Sequence, residues 1–270
     1  MANAVQRLKS ANVPDAANDA RILLAHALKI ERSRLLLVLA DKISINAIEE
    51  FETVIKARCD RQPVSQIIGK RSFYGRDFIV SPDVLDPRPD TELLIEAALV
   101  ETFDTVLDLG TGSGCILLTL LAESQHSSGV GTDISPQALS ISNKNAELHN
   151  LSDRAEFLLS NWFSKITQPY DLIVSNPPYI SADEMPALAP ELRIWEPEIA
   201  LTPGGDGLDA YRMIIATAQM YLSAKGRLIV EIGHKQGLAV SAMFQSAGFQ
   251  GINILKDMNG HDRVVLGKSG

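Results

Sequence analysis

From residue 105 to the end of the chain, short apolar runs alternate with stretches whose apolar residues recur at helical spacing. The runs at 105–109, 129–133, 156–159, 171–175, 226–232 and 262–267 read as strands, with a further strand near 249–255. The segment 115–122 reads as an apolar helix. Strands alternating with helices predict an α/β fold, a doubly wound and mostly parallel sheet. Residues 1 to about 62 carry a different pattern. Ala20, Ile22, Leu23, Leu24, Ala27 and Leu28 follow a helical period, and a second helix is expected over 43–61, with Asn46 and Glu49 at capping-box spacing. Pro63 ends that run. Val64-Ser-Gln-Ile-Ile68 and Phe78-Ile-Val80 then read as strands, joined through Gly69 to Gly75 as a hairpin, and a helix is predicted over 91–100. The expected division is a helical domain at 1–62, a linker hairpin at 63–82 and the sheet domain at 83–270.

Composition narrows the class. A chain of 270 residues suits one large domain with a small satellite, and its 46% hydrophobic share is that of a globular protein. The net charge of −8 argues against a general nucleic-acid binder, which usually presents a basic face. Cys59 and Cys115 are the only cysteines, and their spacing suggests neither a disulfide framework nor a metal site. His26, His126, His149, His234 and His261 show no ligand spacing, so no metal is expected. Charges at Arg7, Lys9, Asp15, Asp19 and Arg21 interrupt the N-terminal segment, so a signal peptide is not expected. The apolar run Leu35-Leu-Leu-Val-Leu-Ala40 is far too short to span a bilayer. The expectation is a reduced, cytoplasmic, monomeric protein with no membrane partner.

Two motifs carry chemistry. The strand at 105–109 runs into Gly110-Thr111-Gly112-Ser113-Gly114 and then into the apolar helix. Strand, glycine-rich turn and helix make a nucleotide-cofactor loop. Its G-x-G-x-G spacing differs from the G-x-G-x-x-G of a dinucleotide fold, which disfavours an oxidoreductase. Asp108, two residues before the first glycine, suits a cofactor carrying an ammonium and a sulfonium better than one carrying a pyrophosphate. Asp133 ends the next strand about 20 residues on, where an acid can accept both ribose hydroxyls. Ser135 and Pro136 suit the N-cap and first position of the following helix. Trp162, just past another strand, can lay its indole against a purine.

The second motif is Asn176-Pro177-Pro178-Tyr179, directly after the strand at 171–175. Both prolines fix φ near −65° and lack an N–H, so the turn cannot be drawn into a helix. The Asn176 amide oxygen can accept one hydrogen of a planar –NH2 group and the Pro177 carbonyl the other. Draining both hydrogens pushes electron density toward the nitrogen lone pair, which helps a weak nucleophile attack. Tyr179 can wall the slot for that group.

Asp-Leu-Gly-Thr-Gly-Ser-Gly followed by Asn-Pro-Pro-Tyr is similar to the S-adenosylmethionine-dependent amino-methyltransferases. Further segments narrow the likeness: Pro87-Arg88-Pro89-Asp90-Thr91-Glu92, Glu196-Pro197, Gly204-Gly205-Asp206-Gly207, Glu231-Ile-Gly-His234 and Asp257-x-x-Gly260-x-x-Arg263. With the helical N-terminal region, the chain resembles the release-factor glutamine methyltransferases over nearly its whole length. The resemblance implies a Rossmann-like class I methyltransferase sheet of seven strands, the last antiparallel. It implies S-adenosylmethionine as cofactor and S-adenosylhomocysteine as product. The implied substrate is the Gln of the Gly-Gly-Gln motif in class I peptide chain release factors, methylated on N5 in the service of translation termination. Carried onto this sequence, Gly110, Thr111, Gly112, Ser113, Gly114, Asp133, Trp162 and Asn176 would hold the cofactor. Asn176, Pro177, Pro178 and Tyr179 would hold the substrate, with Asn176 and Pro177 catalytic. The helical domain would dock the release factor.

Departures from the pattern also count. Asn161 occupies a position that is often Asp in similar methyltransferases, and Asp86 one that is commonly apolar. Arg88 and Glu92 could shape the pocket or tie the domains together. Cys115 opens a helix, where a thiol pKa can fall, although a small residue there also suits a cofactor passing close by. Two rival functions stay open: an N6-adenine methyltransferase on DNA or RNA, since adenine offers the same –NH2, and a non-catalytic cofactor-sensing or translation-factor-binding module.

Overall fold

The computed structural model describes residues 1–38 and 42–270, so Leu39 and Ala40 of the apolar run lie outside the described residues. The chain divides into two compact units, one formed by Met1–Lys70 with Ala189–Trp195, the other by Arg71–Leu188 with Glu196–Gly270.

The first unit is helical. Helices Ala2–Ser10, Ala16–Ala27 and Ile45–Cys59 bury Leu8, Ala20, Leu23, Val54 and Ile55 against one another. The cap of the third helix is Ser44, not Asn46: Ser44 has the extended backbone that an N-cap requires, and its hydroxyl accepts the Ala47 N–H at 3.3 Å. Val64–Ile68 is a short helix and not the expected strand. Five residues between Pro63 and a left-handed Gly69 make one helical turn with a glycine stop. Val64, Ile67 and Ile68 pack on the helical core, so tertiary burial overrides their β propensity. Helix Pro190–Trp195 is part of this unit. Glu191 on it takes Arg61 Nη2 at 2.6 Å and Arg58 Nη2 at 2.9 Å, while Arg58 Nε also reaches Asp19 at 2.8 Å. Burial works against charge on Glu191, but hydrogen bonds from the two arginines hold its carboxyl below the usual range.

From Arg71 the second unit opens with the hairpin of β1 (Lys70–Phe73), whose first residue closes the helical unit, and β2 (Arg76–Ile79). Its turn residues Tyr74 and Gly75 both have positive φ, the geometry of a two-residue turn matched to strand twist. The Glu92 carboxylate accepts the Tyr74 N–H at 3.0 Å, so Glu92 fastens this turn and has a structural role. Seven strands follow: β3 (Thr105–Leu109), β4 (Ser128–Asp133), β5 (Ala155–Leu159), β6 (Tyr170–Ser175), β7 (Leu222–Glu231), β8 (Gln250–Lys256) and β9 (Asp262–Lys268). They lie in the order β5-β4-β3-β6-β7-β9-β8, and β9 is antiparallel to both its neighbours.

Alternate residues of the central strands enter two cores. Val106, Leu172 and Ile229 join Leu94, Leu117 and Leu121 on one face; Leu107, Ile173 and Leu228 join Tyr211, Ile214 and Phe244 on the other. A sheet covered on both faces is why these strands read as unbroken apolar runs. Gly129 on β4 lets helix Cys115–Glu123 close on the sheet, since a Cβ there would stand 2.6 Å from both Leu117 Cδ1 and Val106 Cγ1. The chain runs outward from β3 through β4 to β5, then returns to place β6 on the other side of β3. The crevice of an open α/β sheet forms at the carboxyl ends of such strands.

Candidate active site

Leu109 pairs with Ser175 in the register of β3 and β6, and with Thr132 in that of β3 and β4. The glycine turn and Asn176 are therefore the next residues beyond two adjacent strand ends, and Asp133 is the last residue of the third. Ser175 Oγ donates to the Leu109 carbonyl at 2.7 Å, fastening two of those ends together. Above them lies a cavity of about 330 Å³. Its wall includes Gly110, Thr111, Gly112, Ser113, Asp133, Trp162, Asn176 and Pro178 from the sequence-derived set. Gly114, Pro177 and Tyr179 do not line it. Gly114 begins helix Cys115–Glu123 with φ +79°, and a Cβ there would press within 3.0 Å of Ser142 Cβ. Tyr179 packs into the sheet unit, where burial pushes its hydroxyl up to about 12.

The glycine turn is held from beneath. The Gly110 and Thr111 N–H groups both donate to the Thr132 carbonyl, at 2.8 and 2.9 Å. Gly112 has φ +55° and open space where a Cβ would project, so a side chain there would be strained and would intrude on the loop's free side. Asp133 Oδ2 accepts the Gly112 N–H at 3.0 Å, and Oδ1 accepts the Ser135 N–H at 2.9 Å. Each carboxylate oxygen keeps a lone pair for a further donor. Burial raises the Asp133 pKa against those two hydrogen bonds. Asp108 is fully buried and does not face the cavity; its Oδ2 accepts the Thr111 hydroxyl at 2.6 Å, and burial pushes its carboxyl up to about 7. It props the turn and offers no direct contact to a cation.

Asn176 is oriented by groups from two other segments. Its Nδ2 donates to Thr91 Oγ1 at 3.3 Å. The register of β6 and β7 pairs Ser175 with Val230, so Asn176 comes beside Glu231. Glu231 is buried, and burial pushes its carboxyl up to about 7 although Thr91 and Asn176 both offer it hydrogens. Arg88 also lines the cavity and forms an ion pair with the buried Glu196. Burial, aided by Asp86, pushes Glu196 up to about 7 against the pull of Arg88. Cys115 behaves oppositely to the expectation for a helix start: burial pushes its thiol up to about 12.

Sequence reasoning missed Asn145. This buried residue donates through Nδ2 to the Ser113 carbonyl at 2.9 Å and the Ile79 carbonyl at 3.0 Å, and accepts the Ile79 N–H at 2.7 Å. It couples the hairpin to the glycine turn across 66 residues of chain. An Asn inside a helix carries no signal that would single it out.

Residues 73–208 match the Methyltransferase small domain family, and residues 1–69 match the PrmC N-terminal domain family. A protein of Cereibacter sphaeroides named release factor glutamine methyltransferase is 54% identical over 97% of this chain and 94% of its own length. The chain belongs to the release factor glutamine methyltransferase family. A second member, from Agrobacterium fabrum, is 41% identical over 96% of this chain and 93% of its own. Among solved structures, the hMettl16 catalytic domain in complex with MAT2A 3'UTR hairpin 6 superposes with a TM-score of 0.60 at 18% identity, covering 80% of this chain and 82% of that one. With the methyltransferase family match, that likeness bears out the class I sheet expected from the sequence, and β9 is its antiparallel strand. Among the described residues, no helix is long and apolar enough to cross a membrane, and no cluster of three or more His, Cys, Asp or Glu could hold a metal ion.

Proposed function

We propose that this chain transfers a methyl group from S-adenosylmethionine to the side-chain amide nitrogen of the Gln in the Gly-Gly-Gln motif of class I peptide chain release factors. The observation that carries the reading is Asn176 standing at the cavity wall beside the glycine turn, with its amino end turned to Thr91 and Glu231. The carboxamide oxygen lies at the opposite edge of that planar group. It would accept one hydrogen of the substrate amide, and the Pro177 carbonyl the other.

The residues present fit the cofactor. Gly110 to Gly114 give backbone close approach, Asp133 retains acceptor capacity for ribose hydroxyls, and Trp162 offers an aromatic wall to a purine. When bound, S-adenosylmethionine supplies the electrophilic methyl carbon. The protein contributes proximity and aimed acceptors, and a general base is not needed before attack, because the amide nitrogen becomes acidic only once alkylated. Pro178 and Tyr179 complete the turn. The helical unit is the proposed docking surface for the release factor. A cytoplasmic setting, a monomeric state and the absence of nucleic-acid or membrane partners belong to the same proposal.

Mass spectrometry of a release factor incubated with the protein and S-adenosylmethionine tests it. One methyl increment on the Gly-Gly-Gln glutamine, absent with Asn176→Ala, is the expected result. No increment in a wild-type protein shown to bind the cofactor would overturn the substrate and move the search to adenine in nucleic acid.

A further inference from the structure

Glu231 sits at the carboxyl end of β7, one strand over from Asn176, and is 1% exposed. A carboxylate buried to that degree is costly unless it is paired and hydrogen-bonded. Its backbone carbonyl is pinned by the Tyr211 hydroxyl at 2.9 Å, so the strand end is rigid. Its Oε2 is buried with no hydrogen-bond partner, while the Thr91 hydroxyl and the Asn176 carboxamide offer hydrogens to the carboxyl. Thr91 Oγ1 in turn accepts from Asn176 Nδ2 at 3.3 Å. One hydrogen of the Asn176 amide thus goes to Thr91 Oγ1, and the Glu231 carboxyl at the adjacent strand end is the acceptor at hand for the other. A flipped carboxamide would set its oxygen against a carboxylate.

We propose that Glu231, with Thr91, is a positioning residue of the methyl-accepting site: it holds the amino end of Asn176 so that the amide oxygen is presented to the substrate –NH2. This rests on the reading of Asn176 given above. An ionised Glu231 does more than orient. Negative charge at the amino end polarises the carboxamide and makes its oxygen a stronger acceptor, as a hydrogen-bonded chain does. Protonation would remove both the acceptor and the polarisation. The charged or titratable groups around it are Arg263, Asp90, Tyr179, Tyr211 and Cys115. Arg263 favours the ionised form, while burial and Asp90 oppose it.

Two variants and two readouts test the assignment. Glu231→Met keeps the bulk and removes the acceptor. It is expected to lower kcat by roughly ten- to a hundredfold, with unchanged affinity for S-adenosylmethionine. Glu231→Gln restores a neutral acceptor and should recover most of that loss. In the wild type, kcat should fall as pH drops through about 7, and Glu231→Gln should lack that acid limb. Since Asp108 and Glu196 also titrate at about 7, the limb's disappearance in this variant is what assigns it. The second readout needs no release factor. In protein labelled with 15N-asparagine and saturated with S-adenosylhomocysteine, the Asn176 side-chain amide should titrate near 7 in the wild type and not in Glu231→Gln. An Asn176 amide that ignores pH in the wild type overturns the assignment. So does Glu231→Met with wild-type kcat, or Glu231→Met losing cofactor affinity in step with kcat. A wild-type protein that leaves the release factor unmodified overturns the substrate reading instead, and the amide titration then decides for or against Glu231 on its own.

Discussion

In the proposed reaction Asn176 carries the chemistry because it is neutral, planar and held by one end. An Asn176→Ala variant removes a single preorganised acceptor and should cut turnover by about a hundredfold or more, while the cofactor affinity measured by calorimetry falls far less. Cys115 gives a second test at this scale. Its thiol is buried and pushed up to about 12, so it should resist iodoacetamide at pH 8 in the native protein and react once the chain is unfolded. The two residues also mark how far sequence can be read. Asn176 was legible because a proline pair fixes the turn around it. The Cys115 environment was not, because a helix N-terminus lowers a thiol pKa only where the thiolate is solvated or paired, and burial decides the sign here. Glu231 was visible only as part of a motif. Its role depends on a neighbouring strand 55 residues earlier in the chain.

Elements place these side chains, and the devices that fix their spacing are small. Gly129 allows helix Cys115–Glu123 to approach β4, and Gly129→Val would drive carbon atoms into Leu117 and Val106. That overpacking should cost about 1–3 kcal/mol or more in a urea titration. Asn145→Ala should also destabilise, by about 1–3 kcal/mol for the buried partners it leaves. It should in addition weaken cofactor binding, because Ser113 loses its tether. The parallel strands were readable as apolar runs because both faces of the sheet are covered. The segment Val64–Ile68 was not, since five residues are too few for a period to distinguish helix from strand. Its neighbours in the helical core decide, and they are brought there by the fold.

Among the described residues, burial pushes three carboxyls, Asp108, Glu196 and Glu231, up to about 7 each. Between the ordinary carboxylate range and 7, the folded chain binds protons that the unfolded chain has released. The stability these groups contribute is fully present below the unfolded pKa and is lost as pH rises through 7. Asp108→Asn keeps an acceptor for Thr111 and cannot ionise. Its melting temperature, measured without cofactor, should therefore fall less steeply between about pH 5 and 7 than that of the wild type. At the same scale, Leu36 and Leu37 are 80% and 77% exposed on the helical unit. If that unit docks the release factor, Leu36→Asp with Leu37→Asp should raise KM for the intact factor and leave KM for a short Gly-Gly-Gln peptide unchanged. Fold class and helical region were both legible from the pattern along the chain. The return of residues 189–195 to the helical unit was not, because no local signal marks a segment whose partners lie 130 positions upstream. That return has a consequence for synthesis. A nascent chain emerges at about 5–20 residues per second, so Arg58 and Arg61 wait on the order of ten seconds for Glu191. Until then the helical segment already made can offer Arg58 the carboxylate of Asp19, while Arg61 still lacks Glu191. The N-terminal helices can collapse early, but their last ion pairs close only after the sheet's β6 strand and its Asn-Pro-Pro-Tyr turn have been made. Vectorial folding thus finishes the helical unit after the strand end that bears Asn176 has been made.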